Sequence, residues 1–144
     1  MKKVKGIQVQ FASTRDRRTV DVLRSADDVD SFVECLLNGP YDRNCAVVYS
    51  LDRPTLPSGY YDHEFSVGVD RVVQMGALTF VEDVNHVSKG SIDRGILEYM
   101  LLGHVREFVP GSEISLELVR RGLKEFLENG GRIPTCIEWK EEEF

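Results

Sequence analysis

Apolar residues return every three or four positions in two segments of the chain, residues 26–37 and 116–128. That spacing is the period of a helix with one buried side, so it predicts an amphipathic helix in each segment. Ser25 is placed to cap the first helix, and the second begins at about Ser115. Glycine pairs or Gly-Pro follow both segments and end the helices.

The other apolar residues alternate with polar ones or form short β-branched runs, which is typical of strands. The pattern predicts strands over residues 4–11, 19–23, 45–51, 65–69, 72–81, 96–102 and 135–139, with residues 82–93 as a polar connection. The simplest architecture for this order is an α+β fold: a mostly antiparallel sheet with two helices packed on one face. We expect residues 1–144 to form one domain of this kind.

The charge is acidic and uneven. The net charge is −6, yet residues 1–24 hold seven Lys/Arg and two Asp, a local +5, which leaves −11 for the other 120 positions. A protein with this acidic charge is unsuited to bind nucleic acid, since phosphate binding needs clustered cations. A basic protein partner fits better, because complementary potentials speed encounter. The alternative to a basic partner is that the acidic charge only keeps the protein soluble.

No apolar run approaches the roughly 20 residues that a membrane-spanning helix needs, and the Met-Lys-Lys start is not followed by a hydrophobic signal segment. We therefore expect a cytoplasmic protein without a membrane partner. The three cysteines are odd in number and lie in apolar stretches, which predicts reduced, buried thiols at Cys35, Cys45 and Cys136.

Catalytic and ligand-binding motifs are missing. The sequence has no glycine-rich phosphate loop and no close pair of zinc ligands, so it predicts no catalytic residues, cofactor or metal. His104 is followed by Val105 and Arg106 instead of the x-Glu of a nucleobase deaminase. Two alternatives to a binding protein with a dedicated partner stay open: a small enzyme using His63 or His104, and a housekeeping interaction or oligomerisation module.

Aromatic and acidic residues occur together at two places, and both are candidate contacts for a protein partner. Tyrosine and tryptophan supply apolar area with a polar tip, and carboxylates supply orientation. Tyr99 and Trp139 are also well suited to pack in the core of a small domain. The candidate contact residues are Tyr60, Tyr61, Asp62, Glu64, Trp139, Glu141, Glu142 and Glu143.

An ordered set of phrases resembles a known family. The phrases are LPSG, VGVD, GALTF, SKG and EYMLLGH, followed by SEISLELVRRGLKEFLENGGRIPTCIEW, and they span about residues 19–139. The set resembles actinobacterial immunity proteins encoded beside polymorphic toxins, often toxins of the deaminase superfamily. One departure is residues 85–87, Asn-His-Val, where the family is expected to have aromatic residues.

The resemblance implies a non-enzymatic α+β protein that binds its cognate toxin and blocks it. A toxin that acts on nucleic acid needs a basic groove around its active site, and an acidic inhibitor can be steered there and cover it. Under this hypothesis, neutralising Asp62 and Glu64 slows association with the toxin tenfold or more at low salt.

Overall fold

The computed structural model describes residues 5–10, 22–39, 44–101 and 103–142. It contains two helices, α1 (Ala26–Asn38) and α2 (Leu116–Glu128). The strands, in chain order, are β1 (Ile7–Gln10), β2 (Val22–Leu23), β3 (Cys45–Ser50), β4 (Glu64–Asp70), β5 (Met75–Val81), β6 (Asn85–Ser88), β7 (Leu97–Leu101), β8 (His104–Phe108), β9 (Ile114–Ser115) and β10 (Trp139–Glu142).

Eight strands form one sheet in the order β10-β6-β5-β4-β3-β1-β2, with β9 paired to β5. Every pairing in this sheet is antiparallel, and β7 and β8 form a separate antiparallel hairpin. The predicted α+β class with a mostly antiparallel sheet is therefore confirmed. Neither described helix is long and apolar enough to span a membrane.

Both helices lie on the same face of the sheet, which we call the helix face. Their apolar stripes join the main core, where the Phe126 ring of α2 meets Phe65 of β4 at 4.9 Å and Phe80 of β5 at 5.9 Å between centroids. The predicted start of each helix is also confirmed, since Ser25 and Ser115 accept hydrogen bonds from backbone N–H groups of the first turn. Each helix has a narrow apolar stripe because only its side toward the sheet is buried.

The β7–β8 hairpin packs on the opposite face, which we call the hairpin face. Its Tyr99 ring lies flat on Gly68 of β4, so closely that a Cβ atom at Gly68 would stand 2.5 Å from ring carbons. Around this contact a second, smaller cluster buries Cys45, Ala77 and Phe108 among others. The hairpin covers only the part of the sheet near the end of β4, and no other described element covers the part near the start of β4.

Several strand predictions were wrong, and each has a local cause. Val72 and Val73 belong to the β4–β5 turn, where Asp70 accepts N–H bonds from both and Gln74 adopts a φ of 56°. The polar connection at 82–93 contains β6, because it pairs with strands on both sides and needs little apolar character of its own.

The end of the chain also differs from the prediction. Residues 135–138 form no strand, because Glu125 of α2 accepts the N–H groups of Thr135 and Cys136. Instead β10 begins at Trp139 and takes up the acidic tail. Cys45 is buried and Cys136 half-buried, but Cys35 lies on the exposed side of α1, so burial of all three thiols was wrong.

Candidate functional site

The open part of the hairpin face is a row of partly exposed side chains that crosses six strands. Cross-strand partners in an antiparallel sheet point to the same face, so the register fixes the row. Its members, from β1 to β10, are Gln8, Tyr49, Glu64, Val81, Asn85 and Glu142. All six are of intermediate exposure, as expected for a sheet face that no other element of the described structure covers.

Tyrosines dominate one end of this row. The Tyr61 ring stacks on Tyr49 with centroids 4.4 Å apart and planes 11° from parallel, and the Tyr61 hydroxyl donates to Gln8 Oε1 at 2.9 Å. Beside this stack, Tyr60 projects outward with 76% of its surface exposed. Together with Asp62, Glu64 and neighbouring residues they line a depression of about 580 Å³, which we call the tyrosine cleft.

Asp62 lies in the wall of the cleft but is not a free carboxylate. Arg53 Nε contacts Asp62 Oδ1 at 3.0 Å, and the same oxygen faces His63 Nδ1 at 2.9 Å. Burial by itself would raise the pKa of Asp62, but the hydrogen bonds from Arg53 and His63 outweigh it and hold the pKa below its ordinary value. Arg53 also binds Glu82 and the carbonyl oxygen of Gly131, so it joins the cleft to the end of α2.

His63 is a structural residue whose two nitrogens are both engaged. Its side chain is fully buried, and Nε2 accepts the N–H of Ser50 at 2.8 Å. Nδ1 therefore holds the proton and donates it to Asp62, which defines a neutral imidazole. Burial lowers the pKa of His63. The other histidine considered for an enzyme, His104, lies exposed at the start of β8 on the separate hairpin.

Glu64 is also paired within the protein. Arg106, which reaches across from β8, contacts Glu64 Oε1 at 2.7 Å and the Ser66 hydroxyl at 3.2 Å. The two carboxylates predicted as partner contacts are thus each bound by an arginine. The arginines were missed in the sequence because their carboxylate partners are 9 and 42 positions away, and no local pattern encodes such a pairing.

The second predicted contact group is divided by the structure. Trp139 faces the helix side, where it packs edge-on against Phe65 and Phe80 and donates its indole N–H to Pro134 O at 2.8 Å. Alternation along β10 places Glu141 on that same side and Glu142 in the row on the hairpin face. Glu143 lies outside the described residues. The structure brings Glu142 to the open row and packs the half-buried Trp139 against the main core.

Within the described part of the chain, no group of three His, Cys, Asp or Glu side chains could hold a metal ion. Burial raises the pKa of the Cys45 thiol to about 12, so Cys45 stays protonated. The open row therefore offers aromatic rings, amides and paired charges. Aromatic and polar groups of this kind are typical of protein contact surfaces.

A protein-family profile described as Immunity protein Imm1 matches residues 17–141. The chain belongs to this family. No curated protein matches it in sequence. The immunity protein uses the phrases that carried the resemblance mainly as framework: VGVD contains the Gly68 that seats Tyr99, and GALTF forms most of β5. The departing Asn-His-Val segment lies in β6, where Asn85 belongs to the open row.

Proposed function

We propose that this immunity protein acts in the cytoplasm, where it binds the toxin domain encoded beside it through the open row and the tyrosine cleft. It blocks the toxin by covering a basic active-site groove, and the toxin is nucleic-acid-directed, of the deaminase or nuclease type. The single observation that supports this most is the row on the hairpin face, which no other described element covers, with the exposed Tyr60 beside it. In this proposal the chain inhibits by binding and performs no catalysis.

The charges support a steering role. A toxin that acts on nucleic acid presents cations around its active site, and a protein of net charge −6 is attracted to them from a distance. At close range Asp62 and Glu64 are already bound by Arg53 and Arg106. The cleft therefore contributes shape and aromatic area more than free charge, and the carboxylates orient the partner through ion pairs that it can share.

Tyrosine is the natural anchor at such a site. It buries a large rigid surface at a low entropic cost and keeps one hydrogen-bonding group, which is why it is enriched among residues that dominate binding energy. The Tyr49–Tyr61 stack is held by Gln8 and is ordered before the partner arrives, so little freedom is lost on docking. Tyr60 supplies the protruding contact.

Co-expression with the toxin domain of the neighbouring gene, followed by co-purification, tests the proposal. The pair should elute as one complex, and expression of the immunity protein should rescue growth. Tyr60→Ala should weaken binding about tenfold, as expected for loss of an aromatic anchor. Val72→Ala is a matched control, since Val72 is 74% exposed at the opposite end of the sheet and should bind like the parent. Absence of a complex with the parent protein would overturn the proposal.

A further inference from the structure

The outward side of the β7–β8 hairpin places two negative charges directly against each other. Glu98 of β7 and Glu107 of β8 are cross-strand partners, and both are exposed. Like charges in this position destabilise a strand pair. Among the described residues neither carboxylate has an ion-pair partner, although seven other acidic side chains of this part of the chain do.

The hydrogen-bond pattern shows that the two carboxylates occupy the closest kind of cross-strand pair. The N–H of Met100 donates to Asn44 Oδ1 at 2.8 Å and so points away from β8. Met100 and its partner Val105 are therefore a non-hydrogen-bonded pair, and so are Glu98 and Glu107 two positions along. In such pairs the Cα atoms approach to about 4.5 Å and the side chains are nearest.

Apolar side chains stand exposed around the carboxylates. Val105 is 56% exposed on the same outward side, and Ile96, just before β7, is 61% exposed. Single exposed apolar residues are ordinary, but here they adjoin an unrelieved acidic pair on a sheet face that no described element covers. A cation flanked by apolar groups would complement both features.

A small pocket of about 180 Å³ lies along the free edge of the same strand. Arg94 lines it and is paired with Asp70 and Glu113, whereas Glu98, also in its lining, has no such partner among the described residues. Tyr99 also lines it and is only 3% exposed, yet its hydroxyl has no hydrogen-bond partner among the described residues. A buried hydroxyl without a partner is uncommon and calls for an explanation. A polar group delivered by a bound partner would supply the missing bond.

The hairpin is held firmly in place and is ready to bind. Tyr99 is seated on Gly68, Arg106 is bound to Glu64, and Met100 is bound to Asn44. These three attachments lie on the inward side and the free edge and fix the hairpin on the sheet, while the pairing of β7 with β8 itself holds Glu98 and Glu107 together. The Arg106 contact also joins the hairpin directly to the open row.

We propose that the outward side of the hairpin, together with the pocket at the free edge of β7, is a second docking surface, and that it takes a basic segment of the toxin. A lysine or arginine side chain sits between Glu98 and Glu107, and an apolar neighbour packs on Val105. A polar group of the same segment enters the pocket from the edge and bonds to the Tyr99 hydroxyl there. This inference rests on the proposed function for the identity of the partner. It adds, at the hairpin, a close contact between unpaired charges to the shared ion pairs of Asp62 and Glu64.

The test uses the full-length chain and the purified toxin domain of the neighbouring gene, made as an inactive variant. The double substitution Glu98→Gln with Glu107→Gln should raise or preserve the unfolding midpoint, because repulsion is removed. It should weaken toxin binding at least tenfold at low salt, with the loss shrinking as salt rises. Glu117→Gln with Glu128→Gln on α2 changes the net charge equally and should bind within about twofold of the parent.

Tyr99→Phe tests the pocket separately. It removes only a hydroxyl that is unbonded in the free protein, so stability should be unchanged or higher, while toxin affinity should fall about fivefold. Parent-like affinity of this variant would overturn the pocket contact alone. Parent-like kinetics of the Glu98/Glu107 variant, in a system where the parent does bind the toxin, would overturn the hairpin surface and leave the proposed function intact. No binding by the parent would overturn the proposed function first.

Discussion

The two faces of the sheet are built from the same strands but are covered in different ways. In the described part of the chain, 21 buried residues of the helix face form one continuous core beneath two helices. On the hairpin face, six described buried residues hold a two-stranded hairpin over part of the sheet, and the rest is a row of tyrosine, amide and acidic side chains. Apolar burial is the main stabilising contribution to a fold, so the helix face supplies most of the stability.

This asymmetry means that stability and binding can be altered separately. A substitution beneath the helices should unfold the protein before it changes the contact surface, whereas one on the outward side of the hairpin or in the cleft should change binding with little effect on unfolding. Each of the following experiments tests that separation.

The largest effect is expected at the centre of the helix face. Phe126 is fully buried and meets both Phe65 and Phe80. Phe126→Ala should lower the free energy of unfolding by ~3–5 kcal/mol, since a large cavity replaces the ring. Chemical denaturation measures this, with Val105→Ala on the hairpin as the exposed control. A loss below about 1 kcal/mol for Phe126→Ala would mean that the ring does not hold the core together.

The next effect concerns the attachment of the hairpin. Gly68→Ala would place a Cβ atom 2.5 Å from the Tyr99 ring, so the ring must move. The expected cost is ~1–3 kcal/mol, typical of overpacking. A double-mutant cycle with Tyr99→Ala identifies the cause, because the cost of the alanine should largely vanish once the ring is gone. Equal costs in both backgrounds would show that the strand itself, and not the ring contact, resists the change.

Charge in the tyrosine cleft should affect binding kinetics more than stability. Asp62→Asn with Glu64→Gln removes two negative charges, which leaves Arg106 without its carboxylate and Arg53 with only Glu82. Association with the toxin domain should slow about tenfold at low salt, and the defect should shrink as salt screens the field. Stopped-flow measurement at several salt concentrations decides this. Identical rates for variant and parent at every concentration would remove this end of the sheet from the interface.

The smallest effect is a dependence on pH near the boundary of the two faces. Burial lowers the pKa of His63 below its unfolded value. Near pH 6.5 His63 therefore binds a proton in the unfolded chain but stays neutral in the folded chain. Stability should therefore fall as the pH drops below about 7, by at most ~1.4 kcal/mol per pH unit for one proton. The lowered pKa of Asp62 adds a further loss in more acidic solution, below about pH 4.

His63→Gln isolates this contribution, because an amide does not titrate. Urea unfolding at pH 7.5 and 5.5 should show a shallower loss for His63→Gln than for the parent, and His104→Gln on the exposed hairpin should keep the parent slope. If the parent and His63→Gln lose the same stability between these pH values, another group is responsible.

The sequence made the helix face predictable because its pattern is local. The stripes of α1 and α2, their serine caps and the alternation of β4 each lie within a dozen residues and follow directly from one-sided burial. Tyr99 was also correctly considered for the core. The helix face could thus be described before any coordinates were known.

The hairpin face could be predicted only in part because its order depends on residues far apart in the chain. β8 has a polar composition. It is a strand because it pairs with β7 and because Arg106 forms an ion pair with Glu64. The acidic tail becomes a strand through pairing with β6, more than 50 positions earlier. Tyr60, Tyr61, Asp62 and Glu64 were named as candidates from the sequence, whereas Tyr49 and the arginines that bind the two carboxylates were not.

Amide hydrogen exchange of the full chain, with and without the purified toxin domain, tests most directly whether the hairpin face is the binding face. Peptides that cover the cleft at residues 60–66 and the hairpin at residues 97–101 and 104–108 should exchange more slowly in the complex, while exposed amides of α1 and α2 should exchange at the same rate as in the free protein. Slower exchange confined to the helices, with the hairpin and cleft unchanged, would contradict the assignment of binding to the hairpin face.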